Sequence, residues 1–179
     1  MIDVILHPKD LNGGKIKPTS LLGMGNLEDA LAGLDDARWD VIIFCAVELP
    51  PPPQALSDTA RRVRAYHCPI RDAEITQEEK FLAVQAANVA GRYFLTGARV
   101  LVTCAAGKNR SGLVTALTID ALTGEGGKTA AGLVRNKRQS LAPELQPALS
   151  NSSFLRYLAA IEPRNVAAKM SQSTLVIGG

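Results

Sequence analysis

The sequence predicts an α/β domain with a central, mostly parallel sheet and helices on both of its faces. Two stretches, Trp39–Cys45 and Val100–Thr103, are almost continuously apolar and rich in β-branched residues. Strands of that kind are typical of sheets that are covered on both faces. Segments with helical spacing of apolar residues alternate with the strands, which indicates a three-layer architecture.

Length and composition limit the classes of protein. With 179 residues, 46% of them hydrophobic, the chain is predicted to form one domain over 1–162 and a tail over 163–179. A net charge of +3 favours anionic ligands but is too small to indicate nucleic acid. No apolar run has the ~18 residues of a membrane span, so no membrane contact is expected.

The cysteines and histidines exclude two further classes. Three cysteines with two histidines indicate neither a disulfide framework nor a zinc site, so we expect no metal and no cofactor. Residues 1–6 are typical of a short strand and lack the pattern of a signal peptide. A reducing cytoplasm is therefore the expected location, and it keeps thiols usable.

The first half of the chain is predicted to alternate short strands with short helices. Asn26 is expected to cap the first helix, and Pro50–Pro53 to form an extended connection. The predicted order is a strand at 1–6, an edge strand at 20–26, a helix at 27–34, a strand at 39–45, a short helix at 56–62 and a strand at 63–68.

The second half is predicted to be mainly helical. Thr76 and Glu79 form a capping-box pattern, which predicts the start of a long helix that ends at Gly97. A helix over 128–139 should turn Leu133 and Val134 inward, and a last helix is predicted over 151–161. The long helix should cover the sheet with Leu82, Ala86, Val89, Ala90 and Tyr93, and the helix at 128–139 should expose Arg135, Lys137 and Arg138.

A loop of small residues lies between the last predicted strand and the helix after it. The strand Val100–Thr103 ends just before Cys104, and an apolar helix is predicted over Gly112–Leu122. In this order the N–H groups of the loop and the positive end of the helix surround one point, which favours an anion. The order also places the loop at the carboxyl end of the middle strand, where α/β sheets bind ligands.

The side chains of this loop suit a phosphate and a nucleophile. The planar guanidinium of Arg110 can bind two phosphate oxygens at once. Ala105, Ala106 and Gly107 allow the backbone to approach a ligand closely. The same N–H groups favour the thiolate form of Cys104, which is the nucleophilic form. The sequence thus predicts a nucleophile and a phosphate cradle in one loop.

The pattern Cys-x5-Arg-Ser, from Cys104 to Ser111, resembles the signature loop of the cysteine-dependent protein tyrosine and dual-specificity phosphatases. The resemblance implies a protein tyrosine phosphatase-like catalytic domain over 1–162, with Cys104 as nucleophile, Arg110 as phosphate ligand and Ser111 as the partner of the leaving sulfur. The chain departs from the family at Thr103, where the family usually has histidine. The alternative is a buried cysteine behind a surface arginine. The residues implied to bind the substrate phosphate are Ala105, Ala106, Gly107, Lys108, Asn109 and Arg110.

A proton donor for the leaving group is expected on the loop that follows the strand at 63–68. The run Pro69-Ile70-Arg71-Asp72 resembles the general-acid loop of the same phosphatases, so Asp72 is implied as the catalytic acid. Glu74 is the second candidate and Asp58 the third.

Some members of this superfamily carry a second cysteine that pairs with the nucleophile under oxidation. Cys45, at the carboxyl end of its predicted strand, is one candidate for that role, and Cys68 is another. The alternative for Cys45 is a small buried hydrophobic residue.

The resemblance implies a hydrolase of phosphotyrosine, and of phosphoserine or phosphothreonine, that works through a cysteinyl-phosphate. Its partners are then phosphorylated proteins or small phosphate monoesters, with phosphate or sulfate able to bind in the loop. Lys108 leaves a phosphoinositide substrate open, and an RNA 5′-phosphate is open as well. A non-catalytic module that binds phospholigands is the remaining alternative, although it would need only Arg110 and the loop.

Overall fold

The computed structural model describes residues 3–6, 19–35, 38–49 and 63–164, and these ranges contain five strands and five helices. The strands are β1 (Asp3–Leu6), β2 (Leu21–Gly25), β3 (Val41–Ala46), β4 (Arg64–Ile70) and β5 (Arg99–Thr103). The helices are α1 (Leu27–Asp35), α2 (Gln77–Leu95), α3 (Arg110–Thr123), α4 (Gly127–Leu141) and α5 (Ser152–Ala159).

The strands form one sheet in the order β1-β2-β5-β3-β4. β1 is antiparallel to β2, and the other neighbours are parallel, so the predicted mostly parallel sheet is confirmed. The prediction of an edge strand at 20–26 is wrong, because β2 pairs with β1 on one side and β5 on the other. Gly23 and Gly25 lower the apolar content of β2, although Leu22 and Met24 are fully buried.

Helices cover both faces of the sheet. The connection from β2 through α1 to β3 crosses the sheet in one direction, and the connection from β4 through α2 to β5 crosses it in the other. Because crossovers between parallel strands are almost always right-handed, α1 and α2 lie on opposite faces. α3 packs against α2, and α4 packs against α3, so these helices share a layer. The predicted three-layer architecture is confirmed.

The long helix begins as predicted, but its buried face is shifted. Thr76 Oγ1 accepts from the Glu79 N–H at 3.2 Å, and the Glu79 carboxylate accepts from the Thr76 N–H at 2.9 Å, which confirms the capping box. The predicted stripe is buried at Ala86 and Ala90. Its other members, Leu82, Val89 and Tyr93, pack against the core but are only partly buried. The buried face of α2 consists mainly of small side chains, which suit its close contact with the sheet and α3. Beyond the first turn its buried residues are Ala83, Ala86, Ala87, Ala90, Gly91 and Phe94.

Two side chains of α4 point the other way from the prediction. Val134 is fully buried as predicted, whereas Leu133 is 39% exposed. Arg138 was expected to face solvent and is only 8% exposed. Val134 and Arg138 are four residues apart and share one helix face, so the inward face includes the arginine.

The other predicted elements in the described ranges are confirmed with small shifts at their ends. β4 continues to Ile70, and the side chains of Asn26 and Asn151 cap α1 and α5 by accepting from backbone N–H groups. The predicted helix at 56–62, the connection Pro50–Pro53 and the tail from residue 165 onward lie outside the described residues, and the domain boundary at 162 stays a prediction. Within the described ranges, no helix has both the length and the apolar content that crossing a bilayer requires.

We expect Gly23→Ala to destabilise the fold, because β2 lies directly against Trp39. A Cβ at position 23 would lie 2.5 Å from Trp39 Cη2, and the indole is 2% exposed and cannot move aside freely. Urea unfolding should show a loss of about 1–3 kcal/mol in the free energy of unfolding. The matched control is Gly132→Ala in α4, where the described residues leave open space around the new Cβ. That change should raise stability by ~0.5–1 kcal/mol, and equal effects of the two substitutions would contradict the contact.

Candidate active site

The small-residue loop connects the middle strand of the sheet to the start of α3. β5 ends at Thr103, and α3 begins at Arg110, so the loop comprises Cys104–Asn109. The carboxyl ends of β3 and β4 reach the same edge, because both strands are parallel to β5. Segments that follow these three strands therefore meet around the loop, as predicted from its position.

The backbone of the loop is held from outside through its carbonyl oxygens. Arg138 Nη1 donates to the Gly107 carbonyl, and the Leu149 N–H donates to the Lys108 carbonyl at 3.2 Å. In a trans peptide the carbonyl and the following N–H point in opposite directions. The N–H groups of Lys108 and Asn109 therefore point away from these donors. Asn109 makes no side-chain cap on α3, so that helix start also keeps its donors available to a ligand.

Gly107 brings the loop against the turn between β2 and α1. It adopts φ of +59°, and a Cβ there would lie 2.6 Å from the Gly25 carbonyl carbon, so only glycine fits. Next to this contact, the Cys104 N–H donates to the Gly25 carbonyl at 3.4 Å. Thr103 Oγ1 donates to the Asn26 carbonyl at 2.7 Å. Thr103 thus ties β5 to that turn.

Cys104 and Ser111 lie side by side at the inner end of the loop. The Cys104 Sγ and Ser111 Oγ are 3.3 Å apart, and both residues are buried. Ala105 and Ala106, directly after the cysteine, are exposed. The loop therefore presents its small residues to solvent above a buried thiol and hydroxyl.

Arg110 is 6% exposed, and its guanidinium is only partly hydrogen-bonded. Its Nη1 donates to Glu48 Oε2 at 2.5 Å and to the Ile70 carbonyl at 3.5 Å. Its Nε is buried and has no hydrogen-bond partner among the described residues. The bond from Arg110 lowers the pKa of Glu48. A buried donor without a partner is rare in folded proteins, and it fits a ligand oxygen.

Asp72 lies beside the loop, although it follows a different strand. Both of its carboxylate oxygens accept from Asn109 Nδ2, at 3.0 and 3.2 Å, and Oδ1 also accepts from Asn151 Nδ2 at 2.9 Å. The structure therefore brings Asp72 together with the predicted cradle. Glu74 is instead exposed and ion-paired with Arg156 at 2.9 Å. The third candidate acid, Asp58, lies outside the described residues.

The loop that carries Asp72 is anchored by the residue before it. Arg71 donates to the Glu79 carboxylate through its backbone N–H at 3.0 Å and through Nε at 2.8 Å. The bond from the Arg71 side chain is the main cause that lowers the pKa of Glu79 to about 2. Glu79, which completes the capping box of α2, thus also fixes the loop that carries Asp72.

Lys108 is bound away from the loop centre. Its Nζ donates to Gln146 Oε1 at 2.5 Å, on the segment between α4 and α5. This contact supports a structural use of the lysine, whereas the predicted reading of extra phosphates would need the ammonium turned toward a ligand.

Solved structures with this architecture identify the fold. DUSP15 aligns over 93% of this chain and 96% of its own, with a TM-score of 0.61 and 21% identity. OH1 from the Orf virus, a tyrosine phosphatase with triple substrate specificity, aligns over 76% of this chain and 79% of its own, with a TM-score of 0.55 and 21% identity. The Yvh1 phosphatase domain from Chaetomium thermophilum aligns over 91% and 98%, with a TM-score of 0.58 and 17% identity.

The fold is that of the dual-specificity protein tyrosine phosphatases. No protein-family model and no curated protein matches the sequence. The likeness to this phosphatase fold therefore depends on the three-dimensional architecture. In this chain the motif Cys104–Ser111 lies between the carboxyl end of β5 and the start of α3.

The three cysteines are free and buried, and each directly follows a paired residue of a strand in the centre or at the β4 side of the sheet. Phe44 pairs with Thr103 on one side and with His67 on the other, so the next residues of β3, β4 and the loop are Cys45, Cys68 and Cys104. Burial, followed by a hydrogen bond with Cys68, raises the pKa of Cys45 well above its ordinary value. A thiol that stays protonated is a weak nucleophile, which favours the structural interpretation of Cys45. A disulfide with Cys104 stays a prediction.

Sequence reasoning missed three residues of this candidate site. Glu48 lies two residues after the end of β3, and its place near the carboxyl end of a parallel strand was the available signal. Arg138 shares a helix face with the buried Val134, which was the signal there. Asn151 was predicted only as the start of a helix, and nothing local indicates its second bond to Asp72.

We expect Glu79→Gln to lower stability at neutral pH and to reduce the loss of stability in acid. Because the pKa of Glu79 is lowered from 4.5 to about 2 in the folded state, its carboxylate stabilises the fold above about pH 4.5. That contribution is lost as the pH falls from about 4.5 toward 2. Thermal unfolding at pH 7 should show a melting temperature lower by about 3–10 °C, and little difference from the parent near pH 2. Glu78→Gln is the control, because Glu78 lies in the same turn but is exposed, and an equal effect at both positions would contradict the anchor.

We expect Arg138→Met to weaken anion binding in the loop. The substitution keeps the length of the side chain but removes the donor to the Gly107 carbonyl, so the following N–H is no longer held toward the ligand. Calorimetric titration with orthovanadate should show roughly 10-fold weaker binding, since a hydrogen bond from a charged group contributes about 1.5–3 kcal/mol. Arg135→Met, at an exposed position of the same helix, is the control and should bind like the parent. Unchanged affinity of the Arg138 variant would contradict this role.

Proposed function

We propose that this protein is a metal-independent phosphatase that hydrolyses phosphate monoesters through a cysteinyl-phosphate. The observation that supports it most is the buried Nε of Arg110, which has no partner among the described residues. Arg110 directly follows the loop that begins with Cys104, and Asp72 is bound to Asn109 of that loop. A phosphate oxygen would supply the missing acceptor. The cysteine, the arginine and the carboxylate are the three groups that such a reaction requires.

The first step transfers the phosphoryl group to sulfur. Arg110 and the N–H groups of the loop bind the phosphate dianion, and the Cys104 thiolate attacks phosphorus in line with the leaving oxygen. The S–P bond forms while the P–O bond breaks, and Asp72 gives its proton to the leaving alkoxide or phenoxide. The alcohol departs, and Cys104 carries the phosphate.

The second step returns the enzyme to its starting state. Asp72, now ionised, takes a proton from a water molecule that attacks phosphorus. The P–S bond breaks, and the hydroxyl of Ser111, 3.3 Å from the sulfur, donates to the departing thiolate. Inorganic phosphate leaves, so atoms and protons balance over the two steps.

Phosphotyrosine, phosphoserine and phosphothreonine are the proposed substrates. Ala105 and Ala106 are exposed beside the cysteine, and Asp72 is exposed as well, which suits a shallow site open to short side chains. OH1, a tyrosine phosphatase with triple substrate specificity, has a related fold and supports a broad panel in the assay. The contact of Lys108 with Gln146 gives no support to a polyphosphorylated inositol.

We expect Cys104→Ser to abolish hydrolysis and Asp72→Asn to slow it. The first change removes the nucleophile. The second removes the proton donor, which typically contributes ~10²–10⁴-fold. Phosphate release should be measured from phosphotyrosine, phosphothreonine and phosphoinositide substrates, with rapid quenching to trap labelled phosphate on Cys104.

The control for Asp72→Asn is Glu74→Gln. Glu74 lies two residues further along the same loop and is ion-paired with Arg156. Glu74→Gln should keep the parent rate. A slow Glu74→Gln variant together with an unchanged Asp72→Asn variant would assign the role of acid to Glu74. Equal rates for the parent and Cys104→Ser would refute the proposed nucleophile. Tight phosphopeptide binding without turnover by the parent would favour the non-catalytic module.

A further inference from the structure

We propose that the side-chain amides of Asn109 and Asn151 are positioning residues for Asp72, which they hold over the loop as it gives and takes its proton. This inference rests on the proposed function. The two amides come from the loop itself and from the start of α5, so they connect three separate segments at one carboxylate.

The orientation of the Asn109 amide is set by donors that cannot act as acceptors. Its Oδ1 accepts from the backbone N–H groups of Ser150, at 2.8 Å, and Asn151, at 3.3 Å. A backbone N–H can only donate, so the carbonyl end of the amide must face these groups. The NH₂ end is then turned to Asp72, where Nδ2 lies 3.0 Å from one oxygen and 3.2 Å from the other.

The Asn151 amide is oriented in the same way by the helix that it caps. Its Oδ1 accepts from the N–H groups of Ser153, at 2.9 Å, and Phe154, at 3.4 Å. Its Nδ2 therefore faces outward and donates to Asp72 Oδ1 at 2.9 Å and to the Ala73 carbonyl at 3.1 Å. One side chain thus caps α5 and binds the acid loop.

The segment before α5 is held in a costly conformation that brings these groups together. Leu149 has φ of 55°, a region that a leucine rarely adopts, and it is fully buried against Gly112 at the start of α3. Its N–H donates to the Lys108 carbonyl, and the next two N–H groups bind Asn109. Strain of this kind persists where the surrounding contacts overdetermine it, often at functional sites.

The amides act on the reaction because they are already aimed at the charge that develops. As Asp72 gives its proton to the leaving group, negative charge grows on the two oxygens that Asn109 and Asn151 face. Donors that are fixed in advance need no reorganisation at that moment. They also limit the positions that the carboxyl group of Asp72 can take beside the loop.

The test uses variants that keep the structural bonds of each asparagine. Asn151→Ser retains an oxygen that can cap α5 but has no NH₂ group to reach Asp72. Asn109→Asp retains the acceptor for the Ser150 and Asn151 N–H groups, but it turns an oxygen instead of a donor toward Asp72. Ser152→Ala is the control, because Ser152 is exposed beside Asn151 and its hydroxyl contacts only Arg156 among the described residues.

The readout compares two substrates that differ in their need for a proton donor. Phenyl phosphate has a poor leaving group and depends on the general acid, whereas difluoro-methylumbelliferyl phosphate has a good one and depends on it little. Asn151→Ser should lower kcat for phenyl phosphate by roughly 10-fold or more and kcat for the fluorinated ester by less than about 3-fold, with KM within about 2-fold. Asn109→Asp should lower kcat for phenyl phosphate at least as much, and its added carboxylate beside the phosphate loop should also raise KM for both esters. In an Asp72→Asn background, adding Asn151→Ser should change kcat for phenyl phosphate by less than about 2-fold.

The outcomes separate this inference from the proposed function. A parent protein that hydrolyses neither ester refutes the proposed function. A parent that hydrolyses both, with an Asn151→Ser variant that loses the same factor on each, refutes the positioning role and leaves only the helix cap. If Asn151→Ser lowers kcat for phenyl phosphate in the Asp72→Asn background by as much as it does in the parent, the positioning role is refuted as well.

Discussion

A loop that surrounds an anion with its N–H groups turns its carbonyl oxygens outward, and donors that bind those oxygens fix its shape. In this protein Arg138 binds the carbonyl of Gly107, and the Leu149 N–H binds the carbonyl of Lys108. The positive φ of Gly107 lets the same peptides lie against the turn after β2 without a Cβ in the way. The shape of the cradle therefore depends on α4, on the approach to α5 and on β2, which pack around it from three directions. We expect a change in any of them to alter the proposed anion site without touching a residue of the motif.

Charge at this edge of the sheet is arranged around one buried guanidinium. Arg110 has Glu48 as its counterion in the folded protein. Burial of a cation without such a partner would cost about 3–5 kcal/mol. A phosphate dianion would add acceptors for the Nε that Glu48 leaves unpaired. Asp72 is held differently, by two neutral amides. Neutral donors fix a carboxyl group without an ion pair that must be broken each time the group is protonated.

Around the site, sequence patterns predicted correctly those elements that are decided by interactions between residues close together in the chain. The capping box of Thr76 and Glu79 needs only three residues of spacing, and it was placed correctly. Predictions failed where neighbours distant in sequence decide. Arg138 was expected in solvent because most arginines are exposed, yet the Gly107 carbonyl gives it a buried partner. β2 was expected at an edge because its glycines weaken the apolar signal, but β1 covers its outer side.

By itself, the sequence determined the order of strand, loop and helix and the presence of Cys104 and Arg110 at the ends of that loop, because covalent spacing and hydrophobic period are local properties. It also determined that Asp72 lies just after a predicted strand. Only the tertiary structure decided that Glu48 pairs with Arg110, that Arg138 supports the loop and that Asn151 reaches Asp72. Hydrogen bonds between segments tens of residues apart depend on sheet order and helix placement, and they leave no periodic trace in the chain.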